Sequence, residues 1–60
     1  MKLVTVIKLD GQPTAINLDH IVVLFANGAD TRIVLSNGMD IYVKGPLADL
    51  QKLLAEATAS

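Results

Sequence analysis

The sequence predicts an α+β fold, a small antiparallel β-meander of about five short strands closed by one C-terminal α-helix. Apolar and polar residues alternate along most of the chain up to Lys44. Glycine-containing turns interrupt this alternation, and leucines at helical spacing follow Gly45-Pro46. A chain of 60 residues has room for a single domain, residues 1–60, and for no second one.

Two strands are predicted in the first third of the chain. Residues 2–9 (KLVTVIKL) are rich in β-branched side chains and end at an Asp-Gly pair, in which Gly11 favours a hairpin turn. Residues 14–18 (TAINL) alternate in polarity, and Pro13 suits the start of a strand because no ladder N–H is needed there. Residues 18–20 break the alternation, which predicts a bend or a short 3₁₀ turn.

The third and fourth strands differ in character. Residues 21–26 (IVVLFA) are apolar at every position, which predicts a central strand or one that a partner covers. Residues 27–30 (NGAD) form a turn cluster. Residues 31–36 alternate again, so we expect one face of this strand to be buried.

A second hairpin and a helix complete the fold. Asn37-Gly38 predicts a two-residue type I′ turn, which needs positive φ at both positions. Residues 39–44 form the last strand, and Pro46 is expected at the first helical position, where its missing N–H costs nothing. The helix carries an apolar stripe of Leu47, Leu50, Leu53, Leu54 and Ala57.

Composition excludes several classes of protein. The formal net charge is −1, and the 5 Lys and Arg residues are scattered among acids, so the clustered cations that bind nucleic acid phosphates are not predicted. The absence of cysteine excludes disulfides and fits a cytoplasmic protein. No signal peptide is recognisable, and the longest apolar run is far too short to insert into a membrane.

No residue pattern predicts catalysis or the binding of a metal or cofactor. Asp19-His20 is a pair that can serve acid–base chemistry, but adjacent side chains in a bend diverge, and no nucleophile stands at a recognisable spacing. The acids lie apart, and the glycines match no phosphate-binding motif. Phe25 and Tyr42 are too few for a base-stacking surface, so Tyr42 is expected to cover a sheet face or an interface.

The chain has more apolar side chains than one small core needs. If the helix packs on Ile21, Val23 and Phe25, the opposite faces of the strands stay apolar and uncovered. We therefore expect a homo-oligomer, a dimer or a larger closed ring, or binding to another protein. The predicted interface consists of Val4, Val6, Val22, Leu24 and Val34.

Residues 33–54 (IVLSNGMDIYVKGPLADLQKLL) carry a resemblance to a known family. With VTVIKLDG at residues 4–11 and INLDHI at 16–21, this segment resembles the small flagellar FlbD/SwrD-type proteins, which end in a strand, an Asn-Gly turn, a strand and a helix. The family has Val-Lys-Glu-Ser before the helix, whereas this chain has Lys44-Gly45-Pro46-Leu47. The resemblance implies a cytoplasmic bacterial accessory protein of motility without enzymatic activity.

A weaker resemblance supports an alternative function. Residues 18–21 and 44–54 are similar to the first part of LytTR-type DNA-binding domains. This resemblance implies a DNA-binding module. The alternative function is therefore a minimal DNA-binding or transcription-regulatory module, for which a phage origin is one expectation, and which would use its strand loops with Arg32, Lys44 and Lys52. The basic segment that follows the helix in that family has no counterpart here, and a net charge of −1 gives duplex binding little support.

Overall fold

The computed structural model describes residues 2–59, and these form five strands, a 3₁₀ turn and one α-helix. The fold class that the sequence predicts is confirmed. In chain order the elements are β1 (Leu3–Ile7), β2 (Pro13–Asn17), the 3₁₀ turn (Leu18–His20), β3 (Ile21–Asn27), β4 (Asp30–Leu35), β5 (Asp40–Val43) and α1 (Leu47–Ala59).

The strands form two antiparallel sheets rather than one continuous meander. β1 pairs with β2, and β3, β4 and β5 form a separate sheet in that order. The meander is interrupted between β2 and β3, where the side-chain Oδ1 of Asn17 accepts a hydrogen bond from the N–H of Asp19 at 3.0 Å and starts the 3₁₀ turn. This turn replaces the hairpin that would have paired β2 with β3.

A short contact between β1 and β5 joins the two sheets. Lys8 and Val43 form a single antiparallel bridge. Beside it, the N–H of Lys44 donates to the carbonyl of Ile7 at 2.8 Å, and the N–H of Leu9 donates to the carbonyl of Tyr42 at 3.2 Å. The hydrogen-bonded order across the molecule is therefore β2-β1-β5-β4-β3, with β2 and β3 at its two ends.

The turn between β4 and β5 is not the predicted type I′ turn. Asn37 does not have positive φ, whereas Gly38 has φ 88°. The N–H of Gly38 donates to the carbonyl of Leu35 at 3.0 Å, and the N–H of Leu35 donates to the carbonyl of Met39 at 2.8 Å. This pattern is a three-residue loop, a type I turn closed by a left-handed glycine. The first hairpin closes in the same way around Gly11.

The core lies between the two sheets and under the helix. Ile33 and Val43 are completely buried, and α1 contacts β1, β3 and β4. The buried apolar residues are Val4, Val6, Ile16, Ile33, Val43 and Leu50. Around them pack the partly buried Leu18, Ile21, Leu24, Leu35, Ile41, Leu54 and Ala57. Each sheet and the helix therefore contribute to one cluster.

The predicted direction of several side chains is wrong. Val4 and Val6 are 5% and 3% exposed, because β1 and β2 form a second layer whose inner face carries them. In β3, the pairing with β4 shifts between Ile21 and Val23, and this bulge lets both Ile21 and Leu24 pack against the core. Val23 and Phe25 consequently face outward, so the condition that the helix covers them together with Ile21 is not met.

Gly45 connects the last strand to the helix and is held at both of its polar groups. Its carbonyl accepts a hydrogen bond from the hydroxyl of the buried Thr31 at 2.9 Å, and its N–H donates to Oδ1 of Asp30 at 3.2 Å. Its φ of 109° is a conformation that favours glycine. Pro46 follows, and its carbonyl accepts the N–H of Leu50 at 3.2 Å, so Pro46 lies one position earlier than predicted, at the helix cap.

Replacing Thr31 with Val should destabilise the protein. The substitution keeps the size of the buried side chain but leaves the carbonyl of Gly45 without its donor, at a cost of about 1–3 kcal/mol in the free energy of unfolding. Urea denaturation of Thr31→Val measures this cost. Thr5→Val, at an exposed position of β1, is the matched control and should stay within about 0.5 kcal/mol of the parent. Equal midpoints for the two variants would contradict this account of Gly45.

Gly45→Ala should destabilise the protein more than Gly11→Ala. Both glycines have positive φ, and a residue with a β-carbon in this conformation lowers the free energy of unfolding by about 1–3 kcal/mol. Only at Gly45 would the added carbon also approach a core side chain, since it would lie 3.4 Å from Cδ2 of Leu50, whereas the site at Gly11 is open. Thermal unfolding of both variants tests the difference, and a Gly45→Ala variant as stable as Gly11→Ala would show that the contact with Leu50 is unimportant.

Candidate interaction surfaces

The outer face of the three-stranded sheet exposes large apolar side chains. Opposite positions of its strands place Phe25, Arg32 and Tyr42 in one row, and Val23, Val34 and Asp40 in the next. We call these six residues the outer face. Phe25 and Tyr42 are 47% and 43% exposed. One side of the sheet therefore presents apolar area to solvent, while its other side packs on the core.

Arg32 links the two rows of the outer face. Its Nε lies 2.8 Å from Oδ2 of Asp40, and its Cζ lies 5.4 Å from the centroid of the Phe25 ring. The two charged side chains are 41% and 36% exposed, so solvent screens the ion pair. Arg32 is thereby engaged within its own sheet.

Further apolar residues extend the outer face at both sides. Leu9 lies beside Tyr42, since its N–H donates to the carbonyl of Tyr42, and it is exposed. At the opposite edge, Val22 occupies the bulge of β3 and is 64% exposed. The apolar surface therefore runs from the end of β1 to the free side of β3.

A groove opens at a different place, between β2 and the loop that joins β4 to β5. It has a volume of about 570 Å³ and is lined by residues 14–17 and 35–37, with His20 and Ile41. No described residue of α1 lines it; the helix contacts β1, β3 and β4. Ile16, Leu35 and Ile41 reach the groove from the core cluster and give it an apolar floor.

His20 and Ser36 lie at the rim of the groove and are hydrogen-bonded twice. Nδ1 of His20 lies 2.9 Å from Oγ of Ser36, and the N–H of Ser36 donates to the carbonyl of His20 at 2.7 Å. A nucleophile and a base can be arranged this way, but catalysis also needs a group that orients the histidine. Within residues 2–59 no carboxylate bonds to the ring of His20, and no group of three or more metal-ligating side chains is present. The two hydrogen bonds tie the 3₁₀ turn to the β4–β5 loop.

The predicted interface residues lie in different surroundings. Val4, Val6 and Leu24 belong to the core or pack against it, Val22 is exposed, and Val34 is half-buried on the outer face. The structure therefore does not gather the five into one surface. The predicted interface followed from the condition that the helix covers Ile21, Val23 and Phe25, and it therefore left out Val23 and Phe25, which are exposed. The bulge that reverses them has no signal in a strand that is apolar throughout.

Comparison with known proteins does not identify the chain. Searches against protein-family models, curated proteins and solved structures found no match for the chain. The resemblances to FlbD/SwrD-type proteins and to LytTR-type domains therefore stay predictions. Among the described residues, no helix has the length and apolar character needed to cross a membrane.

Asp40→Asn should lower the free energy of unfolding slightly, and only at low ionic strength. The substitution removes the charge that faces Arg32, and an exposed pair of this kind contributes about 0–1 kcal/mol. Urea denaturation at low and high salt measures the loss, which should disappear when salt screens the pair. Asp19→Asn, at an exposed position outside the outer face, is the control and should show no such dependence. A salt-independent loss at Asp40 would assign its role to packing.

Proposed function

We propose that this protein is a non-enzymatic interaction module that associates with its own copies through β3. The observation that carries the proposal is the exposure of an uncharged apolar strand at the end of its sheet. β3 (IVVLFAN) pairs only with β4 among the described residues, and its Val22, Val23 and Phe25 are exposed. Edge strands of this kind are templates for pairing with another strand.

The free edge of β3 offers backbone groups for that pairing. Asn27 and Asp30 flank the turn between β3 and β4, so they form a hydrogen-bonded pair, and such pairs recur at alternate residues. Phe25 and Val23 therefore bond to β4, whereas the N–H and C=O groups of Leu24 and Ala26 point away from it. A second strand can bond to these groups.

A second copy is the expected partner because two copies of β3 can pair without repulsion between charged side chains. Its seven residues carry no charge, so antiparallel pairing across a two-fold axis brings no like charges together. β4 and β5, by contrast, place Arg32 and Asp40 on the sheet surface. A two-fold axis at β3 would join two three-stranded sheets into one of six strands.

The size of the subunit sets a further requirement. Its accessible surface is 3845 Å². A stable interface takes about 800 Å² from each partner, which is about a fifth of this surface. Backbone pairing along one strand buries less surface area than this. The exposed side chains beside the edge, Val22, Val23 and Phe25, must therefore be buried in the dimer as well.

The cytoplasmic location and the role as a flagellar accessory protein belong to this proposal. The absence of cysteine supports the first, and the order of motifs along the chain supports the second. No observation favours the alternative of a DNA-binding module. Arg32 is paired with Asp40, and Nζ of Lys2 donates to the carbonyl of Thr58 near the end of the helix, so two of the cations have partners within the chain.

Sedimentation equilibrium across micromolar concentrations tests the association. The parent should form a dimer, and Val22→Lys should weaken it about tenfold or more, since the symmetric contact would bring two unpaired charges together. Leu3→Lys is the matched control, because Leu3 is 56% exposed, comparable to the 64% of Val22, but lies on the other sheet. A monomer near 6.4 kDa at all concentrations would refute self-association, and equal weakening by both variants would refute the assignment to β3.

A further inference from the structure

The groove beside β2 runs along the edge of that strand. Its lining includes four consecutive residues of β2, 14 to 17. A strand seen from one face contributes only alternate residues, because successive side chains point to opposite sides. Consecutive residues line a groove only where the backbone itself is accessible. The groove therefore exposes the edge of β2 that does not pair with β1.

The hydrogen bonds of the first hairpin show which backbone groups lie on that edge. The N–H of Lys8 donates to the carbonyl of Gln12, and the N–H of Leu18 donates to the carbonyl of Lys2. Because bonded pairs alternate in an antiparallel ladder, the even-numbered residues of β2 bond to β1. The backbone groups of the odd-numbered residues lie on the opposite edge, where Ala15 and Asn17 line the groove. Four of these groups have no strand partner within residues 2–59: the C=O of Pro13, the N–H and C=O of Ala15, and the N–H of Asn17.

The side chains of the groove define the chemistry of an occupant. Its floor is apolar, and its rim carries the side chains of Asn17, His20 and Ser36. No Asp, Glu, Lys or Arg lines it. A charged side chain would therefore lose water without gaining an opposite charge. The volume of about 570 Å³ lies within the usual range of ligand sites, about 300–1,000 Å³.

We infer that this groove binds an uncharged, apolar, extended peptide segment of a partner protein, which adds to β2 as a third strand. The backbone of the peptide bonds to Pro13, Ala15 and Asn17, and its alternate apolar side chains enter the floor formed by Ile16, Leu35 and Ile41. The hydrogen bonds between His20 and Ser36 hold the opposite wall, the β4–β5 loop, in place. This site is separate from β3, so the inference does not rest on self-association.

Nuclear magnetic resonance with a defined probe tests the inference. The probe is the capped pentapeptide acetyl-Thr-Val-Thr-Val-Thr-amide, added at millimolar concentration to the ¹⁵N-labelled full chain. It should shift the amide signals of Ala15, Asn17 and Ser36 in a saturable manner and slow hydrogen exchange at Ala15. A copy of the peptide methylated at every backbone nitrogen keeps the side chains but cannot donate to a strand edge, and it should bind about tenfold or more weakly.

Two proline variants give a matched comparison on the protein side. Ala15→Pro removes an N–H that points into the groove and is not needed by the β1–β2 ladder, so binding, read at Asn17 and Ser36, should fall about tenfold or more while the fold is kept. Ala26→Pro removes an outward N–H from β3 and should leave peptide binding unchanged. If either variant unfolds, the comparison of the methylated and unmethylated peptides on the parent protein tests the inference by itself.

Three results would overturn the inference. One is equal binding of the methylated and unmethylated peptides, which would leave only side-chain contacts. Another is the absence of a saturable shift at Ala15, Asn17 and Ser36. The third is protection of the Ala15 amide that rises with protein concentration in the absence of peptide, which would identify a second copy as the occupant. A monomeric parent that still binds the peptide through Ala15 would refute self-association and leave this site standing.

Discussion

The attachment of the helix to the core depends on the hydrogen bonds that Asp30 and Thr31 make to Gly45. These two residues begin β4, and they satisfy both backbone polar groups of Gly45, which lies at the junction of β5 and α1. Thr31 is fully buried, so its hydroxyl has no access to water and the bond to Gly45 also satisfies its own polar group. The chain can then leave the sheet with φ 109° at Gly45 and place Leu50 in the core.

That placement decides which parts of the two-sheet core are covered. Leu50, Leu54 and Ala57 cover the side formed by β1, β3 and β4. No described residue of the 13-residue helix lines the groove, whose floor is formed by Ile16, Leu35 and Ile41 of the core cluster. The groove therefore follows from a small chain with one helix and two sheets, in which each sheet has an inner face to bury.

The two free strand edges have the same origin. A continuous meander would have paired β2 with β3, but the 3₁₀ turn started by Asn17 separates them. Each strand then ends its own sheet. The two edges differ in chemistry, since β2 begins with Pro13, a residue that limits pairing, whereas β3 has neither proline nor charge. Self-association is therefore proposed for β3, and the binding of an extended peptide segment of a partner protein for β2.

The fold was more predictable than the candidate sites. The order of elements, the positions of the glycine turns at Gly11 and Gly38 and the helix after Gly45-Pro46 agree with the structure, because each depends on neighbouring residues, whereas the type of the turn at Gly38 differs. The sequence left open which face of the uncharged strand the core covers, because every position is apolar and no polar residue marks its solvent side. His20 and Ser36 are 16 positions apart, and their approach has no sequence signal at all.

The sequence by itself determined that this chain forms five strands and a helix, with an apolar surplus and without clustered charge, since these properties follow from local propensity and composition. Only the tertiary structure decided which apolar residues lie in the core and which are exposed. Val4 and Val6 are buried because β1 and β2 pack as a second layer, and Val23 and Phe25 are exposed because the bulge in β3 reverses their side. The first outcome depends on packing between two sheets whose strands are distant in the chain, and the second on an irregularity in the pairing of β3 with β4. The alternation within one strand carries no information about either.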